Sequence, residues 1–193
     1  MSRISQGWLA GARRLPSPNV DDRPEEASID LVVIHNISLP PGRYGLGCAQ
    51  ALFTNTLDRG LDPFLEVVAD ARVSSHLLIE RDGQVTQFAP FERRAWHAGA
   101  SSFEGRARCN DFSVGIELEG TDFEPFTEAQ YAALNDALAA LCASYPVRAV
   151  AGHSDIAPGR KTDPGPFFHW SRLLLPSGVR AVRDDRGGAR GPA

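Results

Sequence analysis

The segment Ile29-Asp-Leu-Val-Val-Ile34 limits the possible folds more than any other: it is short, mainly β-branched, almost wholly apolar, and stops on His35-Asn36. Successive residues of a strand point to opposite faces, so a continuous apolar run predicts a strand covered on both sides. Covering both faces calls for helices, and the chain carries their signatures. Thr127-Glu-Ala-Gln130 forms a capping box, followed by Tyr131, Leu134, Leu138, Leu141 and Cys142 at helical spacing to about residue 143, before Pro146. Residues 49–57 and 63–70 read as short helices and residues 167–175 as a closing helix.

The strands alternate with these helices. Residues 73–80 and 84–88 flank Asp82-Gly83, and an Asp-Gly between two β-prone runs predicts a hairpin. In Phe112-Ser-Val-Gly-Ile-Glu-Leu-Glu119, Val114, Ile116 and Leu118 face one way and Gly115, Glu117 and Glu119 the other. Residues 147–151 form a last short strand that delivers His153. The order β, α, hairpin, loop, β, α, β predicts an α/β fold, a single domain with a mixed central β-sheet flanked by α-helices. Its expected limits are residues 29–176. An irregular N-terminal arm with one helical turn near Trp8 (residues 1–28) precedes it, and a disordered Gly- and Arg-rich tail (residues 177–193) follows.

A length of 193 residues suits one core of this kind. The net charge of −4 gives no general reason to bind nucleic acid. Cys48, Cys109 and Cys142 are odd in number and lack a CxxC pair, which suits a reducing compartment rather than a disulfide framework. The N-terminus lacks an uninterrupted apolar secretion signal, and no apolar stretch is long enough to span a bilayer. The expectation is a cytoplasmic, soluble protein with no membrane partner. Locally, Arg93, Arg94, Arg106 and Arg108 surround Trp96 and His97 in a long polar loop, residues 94–110, and could hold an anionic small ligand.

The most polar and most rigid loop runs from His153 to Pro166, where prolines and glycines prevent a regular helix. Ordering catalytic groups in advance removes an entropic cost from the reaction step. Both His35 and His153 are expected one or two residues past strand ends, where ligands gather in such folds. With Asp163 they would give two nitrogens and one oxygen to a Zn²⁺ ion and leave a fourth position for water. Glu117 could serve as general base and Lys161 as the cation opposite a developing oxyanion. Each residue alone also has an ordinary reading: His35 as a hydrogen-bonded loop residue, Glu117 with Glu119 as a solvated strand face, Lys161 with Arg160 as a surface pair. His76 reads as a satisfied core histidine, His169 as packing, and Trp96 as either core or ligand platform.

Five motifs in order shift that balance. They are His35-Asn-Ile-Ser-Leu-Pro-Pro-Gly42, Val73-Ser-Ser-His-Leu-Leu-Ile79, Arg94-Ala-Trp-His-Ala-Gly99, Arg108 through Asp122, and Gly152-His-Ser-Asp-Ile-Ala-Pro158 through Pro166. From about Gly7 to about Leu174 the chain resembles the cytoplasmic anhydro-N-acetylmuramyl-L-alanine amidases of cell-wall recycling, in the zinc amidase family that includes phage lysozyme-type amidases and peptidoglycan recognition proteins. The resemblance implies a mixed sheet flanked by helices, with His35, His153 and Asp163 as zinc ligands, Glu117 as base and Lys161 as oxyanion stabiliser. It also implies a cleft where Asn36, Arg72, Trp96 and Arg108 hold a soluble muropeptide. Two other activities fit the same motifs: a non-catalytic muropeptide sensor, and a phage-type or exported amidase acting on polymeric wall. The loop from Tyr44 to Ala49 departs from the familiar pattern.

Overall fold

The computed structural model describes residues 3–183. Its centre is a seven-stranded mixed sheet built from β1 (Arg13–Arg14), β2 (Leu31–Ile37), β3 (Leu77–Ile79), β4 (Val85–Gln87), β5 (Ser113–Glu119), β6 (Ala149–Gly152) and β7 (Arg180–Ala181). Across the sheet the order is β7-β6-β2-β5-β3-β4-β1, and only the β3–β4 hairpin pairs antiparallel. The α-helices among the described residues are α1 (Cys48–Phe53), α2 (Leu65–Val68), α3 (Glu128–Ser144) and α4 (His153–Ile156).

Burial follows the residue pattern. Residues Leu31 to His35 of β2 are all buried, as an apolar run in a central strand requires. Val114, Ile116 and Leu118 point with Val32 and Ile34 toward α3, whose Tyr131, Leu134, Leu138 and Leu141 complete the main core. Leu134 and Leu138 are fully buried, each contributing roughly 1.5–3 kcal/mol. Helix α3 starts where the capping box stands: the Thr127 hydroxyl accepts from the Gln130 N–H at 3.1 Å, and the Gln130 side chain accepts from the Thr127 N–H at 3.1 Å. The β3–β4 turn needs its glycine, because Gly83 has φ +86° and a Cβ there would meet the Ala129 carbonyl at 2.9 Å.

Several sequence readings give way. The N-terminal arm is a set of very short strands: a hairpin of Ile4–Ser5 with Trp8–Leu9 replaces the helical turn, Arg13–Arg14 forms an edge of the central sheet, and Val20–Asp22 pairs with Arg93–Ala95. Strands of two or three residues are too short to show a period, so the sequence hid them. The closing helix shrinks to one turn, Trp170–Arg172. Phe168 and Trp170 are buried while Phe167 and His169 are exposed, a two-residue alternation that no helix would give; His169 is therefore not a packing residue. Part of the expected tail is structured, since Arg180–Ala181 pairs with β6; residues 184–193 lie outside the described residues. Among the described residues no helix is long and apolar enough to cross a membrane.

Candidate metal centre

Register brings the site together. In the parallel β2–β5 pair His35 stands opposite Glu117, so both side chains emerge on the same face. Gly152 pairs with Ile34, which sets His153, the first residue of α4, beside His35. His35 lies within β2 rather than beyond its end, a correction to the expected placement; His153 follows its strand directly. The loop after α4 returns Asp163, whose carbonyl accepts from the Ser154 N–H at 2.9 Å. Gly152 is held by Asp155, which accepts its N–H at 2.8 Å.

The result is a small triangle. His35 Nδ1 and His153 Nδ1 are 2.9 Å apart, and each is 3.1 Å from Asp163 Oδ2. The outer nitrogens decide what these atoms carry. His153 Nε2 lies 3.2 Å from the Ala98 carbonyl oxygen, which can only accept, so Nε2 holds the proton and Nδ1 is bare. His35 Nε2 likewise faces His97 Nδ1 at 3.0 Å. With both rings neutral, two bare ring nitrogens and a carboxylate oxygen converge, an arrangement that a cation between them would satisfy. His35, His153 and Asp163 form the one such cluster among the described residues, and its nitrogen and oxygen donors suit zinc.

Glu117 stands beside the triangle. Its Oε1 lies 3.9 Å from His35 Nδ1, while Oε2 is buried without a hydrogen-bond partner. The expected solvated face is instead buried: every residue of β5 is, Glu117 and Glu119 included. Periodicity reports which way a side chain points, and here long loops cover that face. Glu119 is held structurally, accepting from the Gly45 N–H at 2.7 Å. Burial first, and the Asp163 carboxylate second, push the Glu117 carboxyl well above the usual range, with Lys161 pulling it back. Burial lowers His35 to about 4 and so keeps it neutral.

The remaining expected site residues fall into distinct environments. Asn36 uses its amide N–H groups internally, on Asp122 Oδ1 at 2.7 Å and the Pro164 carbonyl at 3.1 Å. That strut ties β2 to the loop bearing Asp163. Beside it opens a groove of about 310 Å³ lined by Asn36, Ser38, Pro41, Thr121, Asp122 and Phe123. Lys161 and Arg72 are exposed, and Trp96 is half-buried with its indole bonded to Asp21. The proposed arginine cradle does not form. Arg94 forks onto Asp21 and also reaches Asp111, Arg93 pairs with Asp22, and Arg106 pairs with Asp30 while stacking 3.9 Å over Phe112. Arg108 alone of the four stays 76 % exposed, on Asp111 at 3.0 Å. The sequence reading also missed His97 and Ala98 as partners of the two imidazoles; the Trp-His-Ala-Gly motif was their only signal.

Two imidazoles, a carboxylate and a second buried carboxylate, gathered where neighbouring parallel strands meet a loop, make a cluster that could hold a metal ion in an α/β domain. Residues 25–166 match the family model for N-acetylmuramoyl-L-alanine amidase, and the chain belongs to that family. It is 55% identical over 174 residues to the 1,6-anhydro-N-acetylmuramyl-L-alanine amidase AmpD of Escherichia coli (strain K12), covering 89% of this chain and 95% of that protein. A crystal structure of a selenomethionine AmpD derivative superposes with a TM-score of 0.86 at 53% identity, covering 88% of this chain and 96% of that one. More distantly, AmiD of E. coli, solved with the substrate anhydro-N-acetylmuramic acid-L-Ala-D-γ-Glu-L-Lys, gives a TM-score of 0.57 at 31% identity; the match covers 89% of this chain and 64% of AmiD.

Proposed function

We propose that this chain is a zinc-dependent amidase that hydrolyses the bond between the lactyl group of 1,6-anhydro-N-acetylmuramic acid and L-alanine in soluble muropeptides, in the cytoplasm. The observation that carries the reading is the triangle of two bare imidazole nitrogens and one carboxylate oxygen, none more than 3.1 Å from another. The extended similarity to AmpD supports the substrate. Three free cysteines suit a reducing cytoplasm.

His35, His153 and Asp163 would hold the ion. When bound, zinc supplies Lewis acidity, which makes water a competent nucleophile near neutral pH and polarises a carbonyl. Glu117 takes the proton of the attacking water on Oε2 and delivers it to the amide nitrogen, so that the C–N bond breaks to a lactyl carboxylate and a free L-alanine amine. Burial raises the proton affinity of this carboxyl. Lys161, whose charge is felt at both His35 and Glu117, stabilises the oxyanion. Asn36 offers its side-chain oxygen to the muropeptide, Trp96 an aromatic face, and Arg72 and Arg108 exposed guanidinium groups for stem carboxylates.

A defined anhydromuramyl tripeptide and intact sacculi, offered in parallel, test the proposal. Products resolved by mass should be the anhydro sugar and the free tripeptide, with little release from sacculi. Binding of the tripeptide without cleavage, or release from sacculi at a comparable rate, would overturn it.

A further inference from the structure

One dipeptide touches both proposed histidine ligands from behind. His97 Nδ1 lies 3.0 Å from His35 Nε2, and the Ala98 carbonyl accepts from His153 Nε2 at 3.2 Å. The same dipeptide is pinned by one side chain: Asn110 Oδ1 accepts the His97 N–H at 3.2 Å and the Ala98 N–H at 2.8 Å. Behind His97 the chain of bonds ends on a group whose polarity is fixed. The Cys109 carbonyl can only accept, so the Ser113 hydroxyl donates to it at 2.6 Å. Ser113 Oγ therefore receives the His97 Nε2–H at 3.2 Å, which leaves His97 Nδ1 bare to accept the proton of His35 Nε2. His35 is thereby locked in the tautomer that presents Nδ1 to the centre of the triangle. Strand β5 makes room for this ring with a glycine: a Cβ at Gly115 would come within 2.4 Å of the His97 ring. A glycine in the middle of a buried strand sacrifices packing, and close approach is the usual reason for it.

We propose that His97, set by Ser113 and Asn110, is a positioning residue for the metal: it fixes the tautomer and ring orientation of His35 and so tunes metal affinity without touching metal or substrate. This rests on the metal-site reading above. Outer partners of ligating histidines commonly change affinity about 10–100-fold when removed. His97→Leu removes the acceptor for His35; His97→Gln can restore it through the side-chain carbonyl. Asn110→Leu frees the dipeptide, whereas Asn110→Asp keeps an oxygen for both N–H groups.

Zinc affinity, measured by competition with a chelating dye on protein shown by circular dichroism to be folded, is the readout, together with the visible spectrum of the cobalt-substituted protein. The expected result is a 10–100-fold weaker zinc affinity and an altered cobalt spectrum for His97→Leu and Asn110→Leu, with His97→Gln and Asn110→Asp within a few-fold of wild type. Folded His97→Leu with unchanged affinity and spectrum would overturn the proposal, as would a Gln variant as weak as the Leu variant. His35→Ala serves as reference: if it too binds zinc normally, the metal site itself is wrong rather than its outer support.

Discussion

At the scale of single residues, the proposed mechanism separates metal holding from proton handling. His153→Ala or Asp163→Ala opens one corner of the triangle, and both bound zinc and hydrolysis should be lost, read by metal analysis and product assay. Glu117→Gln keeps the shape but cannot take a proton. Its kcat should fall at least about 100-fold while one zinc per chain is retained. Lys161→Met should lower kcat roughly 10²–10³-fold with little change in zinc content. The clustering of His35, His153 and Asp163 was legible in the sequence because their types and order match a known pattern. The contact of His97 with His35 was not: the two lie 62 positions apart, and only packing of the His97 loop over Gly115 brings them together. The arginine cradle failed for the converse reason. Arg93, Arg94 and Arg106 are near in sequence, but their carboxylates, Asp21, Asp22 and Asp30, come from the arm and the start of β2, which sequence proximity does not reveal.

Among the elements, long patterned segments were readable and short ones were not. Helix α3 carries a capping box and an apolar stripe, so its start and buried face follow from sequence alone. Thr127→Ala should cost about 1 kcal/mol, seen as a lower urea midpoint with unchanged slope. Aromatic content misled the reading of residues 167–175, where Phe168 packs on Tyr131, Phe126 and Trp170 from extended backbone. The arm is held by tertiary bonds that leave no local mark. Arg23 donates to the carbonyls of Phe91, Asn110, Asp111 and Ser113, capping the turn that carries Asn110 and leads into β5. Arg23→Ala strands several buried carbonyls and should destabilise the protein by at least about 2 kcal/mol in urea unfolding.

For the molecule as a whole, buried histidines make folding sensitive to acid. His76 accepts the Gly115 N–H on Nδ1 and faces the Arg93 carbonyl through Nε2; burial, then the nearby Arg23 charge, lowers it to about 3. The unfolded chain takes up this proton below about 6.5, while the native protein refuses it until about 3. Stability is therefore complete above 6.5, falls as pH drops through that window, and loses nothing further from this group below it. In zinc-free protein, His76→Gln should flatten the stability–pH slope between these limits by about 1.4 kcal/mol per pH unit, one proton's worth. The central claim concerns function, and one measurement reaches it most directly: cleavage of an anhydromuramyl tripeptide by protein stripped with a chelator and then titrated with zinc. Cleavage should vanish on stripping and return in full at one equivalent of zinc, but not in Asp163→Ala. Undiminished cleavage by the stripped protein would contradict the account.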